Sequence, residues 1–319
     1  MQTHVGDNRA ADIKKGKTML RTERVPVTLY TSEDANAPRL THAAGSLKTL
    51  LKACLVTGYG AKPAAGWQAA FEENNKIALR CADPKSPQGL IRIDNTAAGY
   101  ADIQIYTAMS GLDAGEAVFA QPQRLYVSEA PYKTRKWWLI ACARGFAFFG
   151  EGRYSGCRYL YFGDFPTLAA GDNGNMVCFG AFGGGFTNHI VPAGFNTSGS
   201  SSAYLPALLK SYDGLTRGAT SILHSAAAAT YNSSNYFADY PSPVSGGFSA
   251  FPVFIMENSN SRRVPRGLLP GVSAIAERMA AVPVGTEFAL DGGRYICLDF
   301  GDSSYRDTAV LIAADFWDI

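Results

Sequence analysis

Hydrophobic and polar positions follow two different periods along the chain, and the first of them is helical. Residues 27–71 begin as a strand end and a polar turn. They continue into a segment whose apolar residues recur at offsets of 0, 3, 4, 7 and 8, namely Leu47, Leu50, Leu51, Cys54 and Leu55. This spacing puts those side chains on one helical face and predicts an amphipathic helix over residues 47–56, capped by Ser46.

Glycines are expected to end this helix and shape the chain that follows it. Gly58 and Gly60 accept the left-handed conformation that closes many helices. Gly66 then leads into Trp67 and Phe71, which are spaced one helical turn apart. We interpret the unit as an amphipathic helix held between a strand and an aromatic lid.

The second period is two, and it predicts strands. Alternation over residues 76–80, 90–94 and 101–106 indicates a short antiparallel meander within 76–109. More apolar runs of strand length follow at residues 124–127, 136–142, 145–149, 158–162, 175–180, 247–257, 294–299 and 308–313. The pattern predicts an α+β fold that is predominantly β: an antiparallel sandwich or partial barrel, with one or two short helices near the N-terminus.

Composition along the chain suggests an arm, two domains and a long excursion. Residues 1–22 form a polar N-terminal arm, either solvated or ordered on a neighbouring subunit. Residues 23–120 form a strand-helix-meander domain, and residues 121–319 a β-rich domain. The excursion, residues 183–247, is rich in Gly, Ser and Tyr and holds one expected helical turn near 205–210.

The excursion carries five tyrosines that could contact a partner or anchor the excursion to its own sheet. They are Tyr204, Tyr212, Tyr231, Tyr236 and Tyr240.

Composition narrows the class of protein. Among 319 residues, 47% are hydrophobic and only 18% are charged, which suits a surface that faces other protein. A net charge of +2 argues against binding that relies on phosphate neutralisation. Six cysteines without a CxxC pair are typical of reduced structural thiols and of intracellular production. No apolar run approaches the roughly 20 residues that span a bilayer, so no membrane insertion is expected.

Candidate catalytic and metal-binding residues are scattered. The histidines, His4, His42, His189 and His224, lie in neither HxH nor HExxH spacing. Residues 171–175 resemble the start of a calcium loop without its terminal glutamate, which favours a plain turn. Asp164, Glu151, Asp299 and Asp302 could pair as glycosidase acids, although nothing in the sequence brings two of them together. No cofactor is expected.

Five collinear segments carry a family resemblance. They are residues 29–67, LYTSEDANAPRLTHAAGSLKTLLKACLVTGYGAKPAAGW; 137–149, WWLIACARGFAFF; 161–172, YFGDFPTLAAGD; 241–257, PSPVSGGFSAFPVFIME; and 265–272, PRGLLPGV. Together they resemble virion structural proteins of tailed bacteriophages. The N-terminal arm and the tyrosine-rich insertion at 183–240 depart from that pattern.

The resemblance implies a non-enzymatic subunit of a phage tail, in a baseplate or tail-tip ring. Expected partners are copies of itself in a symmetric ring and other tail proteins, with no nucleic-acid specificity. The expected location is the virion, after production in the host cytoplasm. A carbohydrate-binding or adhesion module on a β-sandwich is the alternative, and a wall-degrading hydrolase is a third hypothesis.

If the chain is a phage tail subunit, one set of residues is expected to shape the backbone and another to anchor contacts. The backbone-shaping residues are Gly58, Gly60, Gly66, Gly267, Pro270 and Gly271, with Pro270-Gly271 a strong turn signal. Trp67, Phe71, Trp137 and Trp138 are expected to anchor the core or an interface. Because adjacent strand residues face opposite ways, one of Trp137 and Trp138 needs a cover, for which a neighbouring subunit is a candidate.

Overall fold

A computed structural model describes residues 22–127, 135–151, 157–168, 171–182, 190–191, 206–225, 238–259, 262–300 and 309–319. The first part contains β1 (Arg24–Pro26), β2 (Thr28–Thr31), α1 (Ser46–Lys52), a π-helical turn (Ala53–Thr57), β3 (Trp67–Glu73), β4 (Lys76–Cys81), β5 (Leu90–Asp94), β6 (Tyr100–Gly111), β7 (Ala114–Ala117) and β8 (Gln123–Tyr126). The second part contains β9 (Trp137–Cys142), β10 (Gly145–Glu151), β11 (Cys157–Asp164), β12 (Met176–Gly180), β13 (Ile190–Val191), β14 (Ala207–Leu208), β15 (Ser221–His224), β16 (Ala250–Ser259), β17 (Arg262–Ile275), β18 (Thr286–Leu290), β19 (Gly293–Asp299), β20 (Ala309–Ala313) and β21 (Phe316–Asp318).

These strands form three sheets and a short ribbon. The meander sheet has the order β3-β4-β5-β6-β7, with β8 also pairing with β6. The central sheet is β14-β12-β11-β10-β9-β2, and the C-terminal sheet is β13-β15-β16-β17-β20-β19-β18. Strands β1 and β21 pair with each other. Apart from the parallel pair β13 and β15, the pairs are antiparallel, and no sheet closes into a barrel within the described residues. The predicted fold class is therefore confirmed.

The central sheet is covered on both faces, which explains why its strands are continuously apolar. Trp67 of the meander sheet packs against Phe146 on one face, with ring centroids 5.5 Å apart. On the opposite face Phe300 lies 4.9 Å from Tyr159, ring to ring. Every residue of β11 and β12 is buried. A strand buried on both faces has no solvent side, so its sequence does not alternate.

Helix α1 forms where the periodicity predicts it, with a different cap. Its apolar face is fully buried. Ser46 is the first helical residue instead of the cap, and its hydroxyl accepts from the Thr41 backbone N–H at 2.7 Å. The Asn95 side-chain oxygen accepts from the Leu47 N–H at 2.8 Å and thereby satisfies a free donor of the first turn. The predicted stop is confirmed, because Gly58 follows the π-helical turn with φ 73°.

Besides the Ser46 cap, two expected helical turns are wrong. Trp67 and Phe71 lie on strand β3, where a bulge between Ala69 and Phe71 replaces the expected helical spacing. The expected helical turn near 205–210 is strand β14 in its described part, held between two sheet neighbours.

The Pro270-Gly271 pair makes no reversing turn, because β17 runs through it. Gly271 still needs its glycine. Its φ is 65°, and an added Cβ would meet the indole of Trp317. Gly267 is required by close approach, since a Cβ there would meet the Pro166 carbonyl.

The proposed boundary near residue 120 falls between β7 and β8, and the two parts are joined across it. Strand β2 pairs with β9 in the central sheet, in register from Thr28 opposite Ala141. One cluster of buried side chains includes residues from both parts. Helix α1 has seven residues, and none of the helices in the described part is long and apolar enough to cross a bilayer.

Candidate functional site

Two clusters of buried charged side chains are each built around one arginine. The Arg266 cluster comprises Arg266, Asp172 and Glu257, and all three side chains are almost fully buried. The Arg144 cluster comprises Arg144, Asp164 and Ser86. Since an unpaired buried charge costs several kcal/mol, the geometry around each arginine decides what the cluster can do.

Arg266 binds two carboxylates at once. Its Nη2 and Nε donate to Asp172 Oδ2 at 2.6 and 3.1 Å, and Nη1 donates to the Glu257 carboxylate. Asp172 also accepts from the Thr167 hydroxyl and the Gly174 N–H, both at 2.9 Å. These donors occupy both oxygens of Asp172, so the cluster is a structural joint and is not open to a substrate.

A bulge in β17 turns Arg266 inward. Ile255 pairs with Gly267 and Met256 pairs with Pro265, so Arg266 has no partner in the register. The extra residue rotates the local side-chain direction. The arginine thereby points into the interior, towards Glu257 on the neighbouring strand.

The Arg266 cluster also fixes a surface turn, residues 211–216, which we name the hairpin tip. The N–H of Tyr212 donates to Glu257 Oε2 at 3.0 Å. Arg266 Nη1 donates to the carbonyl of Lys210, just before the tip, at 3.2 Å. The tip exposes Leu215 by 84% and Tyr212 by 46%. A buried ion cluster therefore holds two exposed apolar side chains in place.

Hydrogen bonds inside the hairpin tip close it as a tight loop. Ser211 N–H donates to the Thr216 carbonyl at 2.7 Å, and Thr216 N–H donates to the Ser211 hydroxyl at 2.9 Å. Asp213 accepts from the Leu215 N–H at 3.0 Å. The Ser211 hydroxyl and that N–H lower the pKa of Asp213, so the tip carries a negative charge at neutral pH.

The Arg144 cluster joins the meander and central sheets. Arg144 Nε donates to Asp164 Oδ2 at 2.9 Å, and the Ser86 hydroxyl donates to Oδ1 at 2.9 Å. Burial raises the pKa of Asp164 to about 6, although the ion pair with Arg144 and the Ser86 hydrogen bond oppose the rise. Asp164 is therefore ionised at neutral pH and takes up a proton in mild acid.

A surface depression of about 390 Å³ lies near the end of the β16–β17 pair where Ala250 faces Ile275. Asp239, Tyr240, Arg278, Ala280 and Ala281 line it, and we call it the depression. Arg278 Nη2 donates to Asp239 Oδ2 at 2.9 Å. The volume of the depression is in the range of roughly 300–1,000 Å³ that is typical of small-molecule sites.

Two of the three predicted tryptophan anchors are buried, and the third is half-buried. Trp67 and Trp137 are buried, and Trp137 donates from its indole to the Pro38 carbonyl at 2.9 Å. Trp138 is half-buried on the opposite face of β9, where Gly285 covers it; a Cβ on that glycine would stand 2.6 Å from the ring. Gly285 of the same chain thus supplies part of the cover for which a neighbouring subunit was a candidate. Phe71 is half-buried on β3.

The predicted tyrosines are divided between two surfaces and the undescribed segments. Tyr212 lies on the hairpin tip and Tyr240 lines the depression. Tyr204, Tyr231 and Tyr236 lie outside the described residues.

The residues tested for catalysis are not assembled into a site among the described residues. Asp164 is paired with Arg144, Asp299 is buried at the end of β19, and Glu151 is exposed at the end of β10. Burial, and secondarily Arg263, lower the pKa of the half-buried His224. His4, His189 and Asp302 lie outside the described residues, whereas His42 is half-buried beside α1.

The turn at residues 171–175 directs Asp172 to Arg266. Within the described ranges, no group of three or more His, Cys, Asp and Glu side chains could hold a metal ion.

Sequence reasoning missed both arginine clusters and the depression. Arg266 and Asp172 are separated by 94 positions, so no local spacing connects them. One signal was available: Arg266 stands between Val264-Pro265 and the apolar run from Gly267 to Val272, and a buried arginine in such a position needs an acid. The acid itself could not be chosen from the sequence.

Comparison with known proteins identifies no family for this chain. No protein-family model matches the chain, and a search of curated proteins finds no match.

Proposed function

We propose that the chain is a non-enzymatic structural subunit of a bacteriophage tail, in a baseplate or tail-tip ring. It would act through contacts with copies of itself and with other tail proteins, without nucleic-acid specificity or membrane insertion. Its place would be the virion, after production in the host cytoplasm.

The collinear resemblance carries the proposal. The resembling segments hold α1, strand β9 and parts of β10, β11, β16 and β17, including Asp172, Glu257 and Arg266. These elements build the core and the Arg266 cluster, so the resemblance concerns the parts that determine the fold.

Two features of the surface support contact with other protein. Phe251 and Phe254 on β16 are each more than one third exposed, and so are the apolar side chains of the hairpin tip. Phe251 and Phe254 are three positions apart on one strand, and contiguous exposed apolar patches mark interaction surfaces. The buried charges of the two arginine clusters are used within the fold, which suits a scaffold.

Two measurements test the proposal. Sedimentation velocity of the purified chain should show concentration-dependent oligomers. Mass spectrometry should detect the chain in particles purified from the virus or prophage that carries its gene. A chain that stays monomeric and is absent from those particles would contradict the proposal.

The alternative, carbohydrate binding, has one observation in its favour. The depression combines the Tyr240 ring with the Asp239–Arg278 pair, and rings beside planar polar groups suit sugars. A glycan array decides this alternative: binding that Tyr240→Ala abolishes would support it, and no binding to any glycan would remove it.

A further inference from the structure

The hairpin tip and the depression lie at opposite ends of one strand pair. The tip is bonded to Glu257, near the end of the pair where Ser259 faces Arg262. The depression adjoins the open end, where the Ala276 N–H donates to the Ser249 carbonyl and Arg278 follows. From Ala250 to Glu257 an extended strand covers about 23 Å. One chain therefore presents a protrusion and a hollow on different sides.

The geometry points to a contact in which the hairpin tip of one copy of this chain enters the depression of the next copy. This inference rests on the proposed self-assembly and names the surfaces that would carry it. A contact between two different surfaces is head-to-tail, and repeating it gives a closed ring when the rotation closes.

Size and rigidity favour this occupant. Leu215 is an exposed aliphatic side chain on a tight, hydrogen-bonded turn, so little conformational freedom is lost when it is buried. The depression has exposed alanines, Ala280 and Ala281, beside the Tyr240 ring. Its volume suits one or two side chains of the tip.

The charges of the two surfaces can be matched. Asp213 lies on the tip, and Arg217 stands at its base with a half-exposed side chain that pairs with Glu116 at 3.1 Å. The depression holds Arg278 and the exposed carboxylate of Asp239. Both arginines thus already pair with exposed carboxylates of their own chain, Arg217 with Glu116 and Arg278 with Asp239. Docking would extend these surface ion pairs by placing Asp213 near Arg278 and Arg217 near Asp239. Such pairing fixes the orientation of a contact more than its affinity.

Sedimentation velocity on three variants tests the inference. Leu215→Ser removes the apolar tip, and Ala281→Arg fills the depression. Both positions are exposed, so the folds should stay intact, which circular dichroism checks. Val244→Ser is the matched control, because Val244 is an exposed aliphatic residue outside both surfaces. We expect at least tenfold weaker association for the first two variants and no change for the control.

Mixing the first two variants sharpens the test. The Ala281→Arg chain keeps its tip and the Leu215→Ser chain keeps its depression, so an equimolar mixture should form dimers that grow no further. Wild type that assembles while Leu215→Ser assembles equally well would overturn the inference and leave the proposed function standing. Monomeric wild type would overturn both. Glycan binding lost on Tyr240→Ala, with assembly unchanged by Ala281→Arg, would assign the depression to a sugar and also overturn it.

Discussion

The Arg144 cluster and the Arg266 cluster bury the same guanidinium group and use it differently. Arg144 faces one buried carboxylate, Asp164, whereas Arg266 faces two. The first joins two sheets inside the core, and the second holds the turn that exposes Leu215. When its arginine is lost, a single carboxylate can become neutral by taking up one proton. Two carboxylates side by side must both be neutralised or repel each other. The comparison predicts different responses to substitution and to pH.

Arg266→Met should give the largest effect. It leaves Asp172 and Glu257 buried without their cation, which we expect to cost roughly 3–5 kcal/mol in the free energy of unfolding. Urea denaturation measures this loss. Arg294→Met is the control, because Arg294 is half-exposed and its ion pairs should contribute less than about 1 kcal/mol. Equal losses in the two variants would contradict the structural role of the cluster.

Arg144→Met should cost less, and the cost should depend on pH. The pKa of Asp164 is already raised to about 6 by burial, and loss of the cation raises it further. At pH 5 Asp164 is neutral in the folded variant, as it is in wild type. At pH 7.5 the folded variant either buries an unpaired carboxylate or holds a proton that the unfolded chain releases, and both destabilise the fold. The destabilisation should be about 2–4 kcal/mol at pH 7.5 and clearly smaller at pH 5. A loss that is the same at both values would argue against protonation of Asp164.

Asp164→Asn should change the slope of stability against pH. Between about pH 4 and 6 the folded chain holds a proton on Asp164 that the unfolded chain has released, since the ordinary value is 3.8. This group therefore makes wild type lose stability as pH rises through that window, by up to about 3 kcal/mol. The asparagine variant lacks this contribution, so its stability relative to wild type should rise across the window. Urea titrations at four pH values measure the difference, and a constant difference would refute the assignment.

Tyr161→Phe should have the smallest effect. The Tyr161 hydroxyl is buried near Asp164 of the Arg144 cluster and has no hydrogen-bond partner among the described residues. Removing a buried hydroxyl that makes no bond should leave stability unchanged or raise it by up to about 1 kcal/mol. Thermal denaturation compares the variant with wild type; a large loss would reveal a partner that the described contacts lack.

Local physics made part of this fold predictable. The apolar face that α1 shares with the π-helical turn, from Leu47 to Leu55, follows from a 3.6-residue period, and the strands of the meander follow from a period of two. In contrast, the spacing of Trp67 and Phe71 suggests a helix only when their cross-strand partners on β4 are ignored. The helical period covers Cys54 and Leu55 of the π-helical turn, but it does not indicate that the hydrogen bonding there is π-helical.

The candidate site was less predictable, because its contacts join distant parts of the chain. Arg144 finds Asp164 across a hairpin, and Arg266 finds Asp172 and Glu257 through a bulge. The turn predicted at Pro270-Gly271 was wrong for the same reason, because the contacts of this pair are with distant residues. Its glycine serves a positive φ under Trp317, a need that only the folded partner reveals.

The indole of Trp317 has a consequence for how the protein is made. It stacks on Tyr161 with ring centroids 6.0 Å apart, and it fills the space above Gly271. More than 150 positions separate Trp317 from Tyr161. During synthesis on the ribosome, the face of the Tyr161 ring that Trp317 covers therefore stays exposed to solvent until residue 317 has emerged. A nascent chain interrupted before that point would expose this ring face to chaperones and proteases, so the core is complete only when Trp317 is in place.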